Sequence, residues 1–131
     1  MDPVEKKPHI LIAEDDPSLQ EMYRRKLQES GLDVTLAHNG AEAVQLAGEL
    51  KPDLILMDFK MPVMDGIEAL MKLRGDPATV GLRVVFFTAF GDSNVPDIDP
   101  RYAQEVGATG LIQKGIELNK LVEKIREYLK S

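Results

Sequence analysis

The sequence contains no cysteine and no tryptophan, and aromatic residues make up only 5% of its 131 positions. The absence of cysteine excludes a disulfide framework and a thiolate metal site. It also fits a reducing compartment, so we expect a cytoplasmic protein. Sparse aromatic residues argue against a base-stacking surface for nucleic acids. No apolar run approaches the roughly 18 residues that a membrane-spanning helix needs, so no membrane association is expected.

Basic residues are outnumbered by acidic ones, 16 to 22, which leaves a net charge of −6. Direct nucleic-acid binding by this chain is therefore not expected, because it would normally require a basic patch. The length suits one domain, and the composition, 44% hydrophobic and 29% charged, is typical of a globular protein with one core. We expect residues 1–7 to be a flexible N-terminal lead-in and residues 8–131 to form the domain.

Short apolar runs alternate with longer amphipathic ones along the chain. This alternation predicts an α/β fold whose parallel sheet is covered by helices on both faces. Because the connections between parallel strands of one sheet are right-handed, we expect a doubly wound sheet. The predicted strands are residues 9–13, 33–37, 53–57, 83–87 and 110–113, and the predicted helices begin near residues 17, 41, 65, 100 and 117.

The first helix is predicted to start with Asp16 as its N-cap and a proline at its first position. Spacing of apolar residues indicates which side of this helix faces the core. Its expected inner face consists of Leu19, Met22, Tyr23 and Leu27.

Polar residues with complementary chemistry follow four of the five predicted strands. They are Glu14 and Asp15 after the first strand, Asp58 after the third, Thr88 after the fourth and Lys114 after the fifth. In doubly wound sheets ligands bind at the carboxyl ends of the strands, so these side chains should meet at one edge. Crowded carboxylates favour a bound cation, and with only oxygen donors available Mg²⁺ is the expected ion.

Together these residue types suit phosphoryl transfer. Asp58 would attack phosphorus as a carboxylate nucleophile and form an aspartyl phosphate. Lys114 would supply a fixed positive charge to one phosphoryl oxygen, and the Thr88 hydroxyl would donate a hydrogen bond to another. Taken singly, each residue also has an ordinary structural interpretation. The acids after the first strand could form a solvated turn, and Asp58 could cap a loop. Thr88 could be a simple strand residue, and Lys114 a surface charge. Their convergence at one edge favours the site.

Four segments of the chain, in order and at near-family spacing, are similar to the motifs of the response-regulator receiver family, of the kind found in chemotaxis response regulators. They are ILIAEDDP at 10–17, LILMDFKMPVMDG at 54–66, FTA at 87–89 and GATGLIQK at 107–114. The resemblance covers nearly the whole chain. It implies a flavodoxin-like, five-stranded parallel sheet of order 2-1-3-4-5 with five helices.

The resemblance also implies roles for individual residues. Asp58 is then the phosphoacceptor, and Asp15 binds Mg²⁺ (or Mn²⁺) directly. Glu14 acts on the metal through water, and the backbone carbonyl of Lys60 completes the protein ligands. A two-component system or phosphorelay would supply the phosphoryl group from a histidine kinase or a histidine phosphotransfer protein.

A receiver of this kind is a signalling switch and not an enzyme with a separate substrate, because it catalyses only its own phosphorylation and dephosphorylation. The switched surface would bind an output protein or domain that the sequence does not identify, with the chain a monomer or weak dimer. We further hypothesise that Lys60 pairs with the phosphoryl group and that Phe90 limits water access, which would make the phosphorylated state long-lived.

The sequence departs from the family pattern in three places. Gly115 follows Lys114 where the family has proline, and Leu111 stands where the family has a tyrosine or phenylalanine that responds to the threonine. Residues 91–100 are longer than the family norm and contain two prolines, which predicts a delayed or shortened fourth helix. These departures keep open the alternative of a degenerate receiver that acts as a phosphorylation-independent protein-interaction module.

Two further classes of protein, a phosphatase and a flavodoxin-like binder, fit the sequence less well than a receiver does. A phosphatase of the haloacid-dehalogenase type would need a second aspartate two residues after Asp58, where this chain has Lys60. A flavodoxin-like binder would need a loop rich in serine, threonine and glycine after the first strand, which is absent.

Overall fold

The computed structural model of this protein describes residues 6–88 and 100–130. Strands and helices alternate as the sequence predicts, and the predicted strand bounds and helix starts agree with the observed ones to within one residue. The elements are β1 (His9–Ala13), α1 (Pro17–Glu29), β2 (Asp33–Ala37), α2 (Gly40–Leu50), β3 (Leu54–Asp58), α3 (Gly66–Arg74), β4 (Val84–Thr88), α4 (Pro100–Glu105), β5 (Gly110–Gln113) and α5 (Leu118–Lys130). Residues 91–99, for which the sequence predicts a delayed helix start, lie outside the described part.

The five strands form one parallel sheet in the order β2-β1-β3-β4-β5. This confirms the predicted doubly wound topology. Every residue of β3 and of β4 is buried, because helices cover both faces of the sheet. The strand order reverses beside β1, and the crevice outside the strand ends at such a reversal is where open α/β sheets bind ligands.

Successive side chains of each strand point to opposite faces of the sheet, and this alternation divides the core into two layers. Ile10 and Ile12 face the layer that contains α1 and α5, whereas Leu11 and Ala13 face the layer that contains α2, α3 and α4. All four side chains are at most 1% exposed. A strand buried on both faces must be apolar at every position, which explains its continuous apolar run. Within residues 6–88 and 100–130, no helix combines the length and apolar character needed to cross a membrane.

Aspartates cap the helices that follow β1 and β3. The Asp16 carboxylate accepts hydrogen bonds from the backbone N–H groups of Ser18 (2.8 Å) and Leu19 (3.3 Å), as predicted. The Asp65 carboxylate accepts one from the N–H of Glu68 (2.9 Å) at the start of α3. Both caps satisfy N–H groups that have no partner within the helix, so they fix where each helix begins.

The inner face of α1 differs from the prediction at one position. Met22 is 40% exposed, so its assignment to the core was wrong. The three buried residues of the helix are Gln20, Tyr23 and Leu27. These positions are spaced i, i+3 and i+7 and share one face, whereas position 22 is turned away from that face. A polar side chain therefore occupies the buried position nearest the start of α1.

Candidate functional site

Strand register places the two central acids side by side. In the pairing of β1 with β3, Ala13 is level with Met57, so the next residues, Glu14 directly after β1 and Asp58 at the end of β3, stand at the same height. Glu14 is 1% exposed and Asp58 is 7% exposed. The parallel topology therefore places two buried carboxyl groups beside each other at the carboxyl edge of the sheet.

Asp15 completes a cluster of three acids. One carboxylate oxygen from each of Glu14, Asp15 and Asp58 lies within 4.8 Å of the other two. Asp15 is exposed, whereas its two neighbours are buried, so the cluster opens to solvent on the Asp15 side. Oxygen-only donor sets of this kind suit hard divalent cations, which accept a few carboxylates and retain several waters. The structure thus brings together the three acids that the sequence singled out.

Lys114 reaches the cluster from the end of β5. Its Nζ lies 2.5 Å from Glu14 Oε2 and 2.8 Å from Asp58 Oδ2, so one ammonium group bridges both buried acids. The same Nζ lies 5.9 Å from the centre of the Phe87 ring, close enough for a cation–π contact. The backbone N–H of Lys114 donates to the carbonyl oxygen of Thr88 (2.7 Å), which ties the ends of β4 and β5 together.

Burial and neighbouring charges shift the pKa values of Glu14 and Lys114. Burial raises the pKa of Glu14 to about 7; the neighbouring Asp58 raises it as well, while the hydrogen bond and charge of Lys114 oppose the rise. For Lys114, burial by itself lowers the pKa, but the hydrogen bonds to Asp58 and Glu14 outweigh it, so the net pKa is raised. The ammonium therefore stays charged between the two buried carboxyl groups, while Asp15 adds a third carboxyl group to the cluster. A divalent cation would relieve the remaining excess of negative charge.

Two other predicted site residues, Thr88 and Lys60, lie near Asp58 in strand register or in sequence. Thr88 ends β4 and is 7% exposed, one strand away from Asp58. The backbone N–H of Lys60 lies 3.4 Å from Asp58 Oδ1, a long contact, and the Lys60 side chain is exposed. Leu111 is partly buried against the core layer of α2, α3 and α4. Phe90 lies outside the described residues.

Two residues that support the site were missed by the sequence reasoning. Gly66 approaches the backbone of β3 so closely that a Cβ atom would stand 2.4 Å from the carbonyl oxygen of Asp58. Its N–H donates to the carbonyl oxygen of Phe59 (2.9 Å), closing the loop that follows the phosphoacceptor candidate. Gln20 donates from its side chain to the carbonyl oxygen of Glu14. The apolar pattern gave no signal for Gln20, because it does not fix the rotation of α1 closely enough to show that this polar residue faces the core.

Gly115, the residue that replaces the family proline, has a φ of +87°. Proline cannot adopt this conformation, since its ring holds φ near −65°. The turn after Lys114 therefore follows a path that favours glycine.

We expect Gly115→Ala to lower the free energy of unfolding by about 1 kcal/mol, because the left-handed region is unfavourable for a residue with a Cβ. Gly48, exposed within α2, is the matched control; Gly48→Ala should raise stability by about 0.5–1 kcal/mol. Among the described residues, no heavy atom lies within 4 Å of a Cβ built at either position. Side-chain packing should therefore contribute little to either change in stability. Urea unfolding measures both changes. A Gly115→Ala protein as stable as the wild type would contradict the left-handed assignment.

Fold and site together define a class: a doubly wound α/β domain that holds a buried aspartate in an acidic cluster at the switch point of its sheet. Comparison with known proteins identifies the family. The family model of the response regulator receiver domain matches residues 10–126. The chain therefore belongs to the response regulator receiver domain family, which confirms the resemblance seen in its motifs.

Curated relatives support the assignment. The chain is 35% identical over 121 residues to the DNA-binding response regulator MtrA of Mycolicibacterium smegmatis, covering 92% of this chain and 50% of MtrA. It is 32% identical over 120 residues to the polar-differentiation response regulator DivK of Brucella anthropi, covering 92% of this chain and 94% of DivK. The chain thus spans half the length of MtrA but nearly all of DivK.

Solved structures agree with the fold. The receiver domain of a sensor histidine kinase from Pseudomonas aeruginosa, described with a magnesium ion coordinated in its active-site cleft, superposes with a TM-score of 0.83 at 26% identity. The superposition covers 96% of this chain and 100% of that one. Receiver domains are signalling modules of two-component systems, and this chain has the acidic cluster in which such domains bind Mg²⁺.

Proposed function

We propose that this receiver accepts a phosphoryl group on Asp58 in the presence of Mg²⁺, with a histidine kinase or histidine phosphotransfer protein as donor. The observation that carries the proposal is the meeting of three carboxylates within 4.8 Å, two of them bridged by the Lys114 ammonium. Asp15, Asp58 and the Lys60 carbonyl would hold the ion directly, and Glu14 would act on it through water. These oxygen donors fit Mg²⁺ or Mn²⁺.

In the reaction, an oxygen of the Asp58 carboxylate forms a bond to phosphorus while the bond from phosphorus to the donor breaks. The electron pair of the broken bond leaves with the donor. Lys114 offers its ammonium to a phosphoryl oxygen, and the Thr88 hydroxyl donates a hydrogen bond to another. Bound Mg²⁺ supplies positive charge that offsets the repulsion between the acidic cluster and an anionic donor. The phosphorylated chain would then switch a surface that binds an output protein or domain.

Incubation with acetyl phosphate and Mg²⁺, followed by intact mass measurement, tests the proposal. We expect the mass to rise by one phosphoryl group, and we expect no rise when EDTA removes the metal. Hydroxylamine at neutral pH should remove the added group, because it cleaves an acyl phosphate but not a serine or threonine phosphate ester. A chain that stays unmodified while another receiver is phosphorylated under the same conditions would instead support the degenerate-receiver alternative.

We also expect Lys60→Ala to speed the loss of the phosphoryl group by about two- to fivefold. An exposed ammonium that pairs with the phosphoryl group is worth roughly 0.2–1 kcal/mol, which sets this magnitude. Mass measurements at intervals after removal of acetyl phosphate give the rate. Lys72→Ala, which removes an exposed ammonium from α3, is the control and should match the wild type. Equal or slower loss in Lys60→Ala would contradict the pairing.

A further inference from the structure

Gln20 is a buried polar side chain that contacts the acidic loop without belonging to the acidic cluster. It is 5% exposed, and its side-chain Nε2 donates a hydrogen bond to the backbone carbonyl oxygen of Glu14. Its backbone N–H donates to the carbonyl oxygen of Asp16 (2.9 Å). The loop between β1 and α1 is therefore held by the same helical residue on both sides of Asp15.

The carbonyl that Gln20 holds belongs to the peptide unit between Glu14 and Asp15. Because a peptide unit is planar, fixing the direction of its carbonyl also fixes the direction in which the chain enters Asp15. The Glu14 side chain has a second anchor in Lys114. Among the described residues, the structure shows no hydrogen bond or ion pair on the Asp15 carboxylate, so its position depends on the backbone that carries it.

The packing around Gln20 makes this contact costly to replace. Its neighbours on the inner face of α1, Tyr23 and Leu27, pack into an apolar core layer. A buried amide at such a position needs a polar partner, and the buried carbonyl of Glu14 needs a donor. An apolar side chain would serve packing equally well at position 20, but it could not hold the Glu14 carbonyl.

We infer that Gln20 is a positioning residue for the metal site: its amide orients the peptide unit between Glu14 and Asp15 so that the Asp15 carboxylate meets Asp58 around one Mg²⁺ ion. This inference rests on the proposed function, since it assumes that the acidic cluster binds Mg²⁺. Partners that orient metal ligands typically change metal affinity by about 10- to 100-fold when they are removed.

The test compares Mg²⁺ affinity, measured by isothermal titration calorimetry, in the wild type and in Gln20→Met. Methionine has nearly the same length and volume as glutamine but cannot donate a hydrogen bond. We expect the affinity of Gln20→Met to be about 10-fold weaker, and half-saturation of phosphorylation by acetyl phosphate to need about 10-fold more Mg²⁺. If circular dichroism shows that Gln20→Met does not fold, Gln20→Asn replaces it, because it withdraws the amide by one methylene.

Thr79→Val is the matched control for stability. Thr79 is 3% exposed, and its hydroxyl donates to the carbonyl oxygen of Leu73 (2.8 Å), at the end of α3 away from the acidic cluster. This variant likewise removes a buried hydrogen bond to a carbonyl, so it should lower the urea midpoint to a similar extent. Its Mg²⁺ affinity should equal that of the wild type.

The outcomes separate the inference from the proposed function. If the wild type binds no Mg²⁺, the proposed function fails, and the inference fails with it. If the wild type binds Mg²⁺ and Gln20→Met binds it equally well, only the inference is overturned. Equal weakening in Gln20→Met and Thr79→Val would also overturn it, because the effect would then follow stability and not the position of Asp15.

Discussion

Asp58→Asn is expected to reduce phosphorylation by acetyl phosphate to the uncatalysed background, a loss of more than about 10³-fold. Asparagine has the shape of aspartate, but its amide group is a poor nucleophile. One side-chain oxygen remains to accept the Lys114 hydrogen bond, so the fold should persist. Intact mass after incubation with Mg²⁺ and acetyl phosphate measures the result.

Asp53→Asn is the control for this substitution. Asp53 lies just before the other end of β3, where its carboxylate accepts a hydrogen bond from the N–H of His9 (2.7 Å). The control makes the same chemical change next to the same strand, but at the end away from the acidic cluster. It should be phosphorylated to the same extent as the wild type. Full modification of Asp58→Asn would show that another residue, such as Asp15, is the acceptor, and it would contradict the proposed function.

Lys114→Met is expected to lower the phosphorylation rate by about 10²-fold, which is typical of removing one preorganised charge from a site where negative charge develops. The position of this ammonium in the structure supports that magnitude. The Lys114 ammonium lies within 2.8 Å of both Glu14 and Asp58, and it follows β5, which lies on the opposite side of β3 from β1. Time courses with acetyl phosphate at saturating Mg²⁺ measure the rate.

Two measurements make the Lys114→Met result specific. Mg²⁺ should still bind the variant, because Glu14, Asp15 and Asp58 all remain, and calorimetry checks this. Lys124→Met places the same substitution on the exposed side of α5 and should leave the rate unchanged. An unchanged rate in Lys114→Met would mean that the ammonium serves only as a counter-ion for the buried acids in the metal-free protein.

Much of the architecture could be predicted because it depends on local patterns. Continuous apolar runs predict strands buried on both faces, and Asp16 followed by proline predicts the start of α1. The convergence of acids could also be predicted, because all strands of a parallel sheet end at the same edge. Glu14, Asp15 and Asp58 therefore had to approach one another once the topology was known, although their roles remain proposals.

Contacts that depend on exact side-chain position could not be predicted in this way. The exposure of Met22 and the burial of Gln20 depend on how α1 is rotated against the sheet, and an apolar pattern defines that rotation only to within a residue or so. The close approach of Gly66 to the Asp58 backbone depends on the path of the intervening loop.

The sequence by itself thus determined the order of elements, the parallel sheet and the set of acids at its carboxyl edge, because periodicity and chain order are properties of the sequence. Only the tertiary structure decided that one ammonium bridges both buried acids and that an amide of α1 holds the loop carrying Asp15. Those contacts join residues from different elements, and their existence depends on distances and burial that arise only when the elements pack.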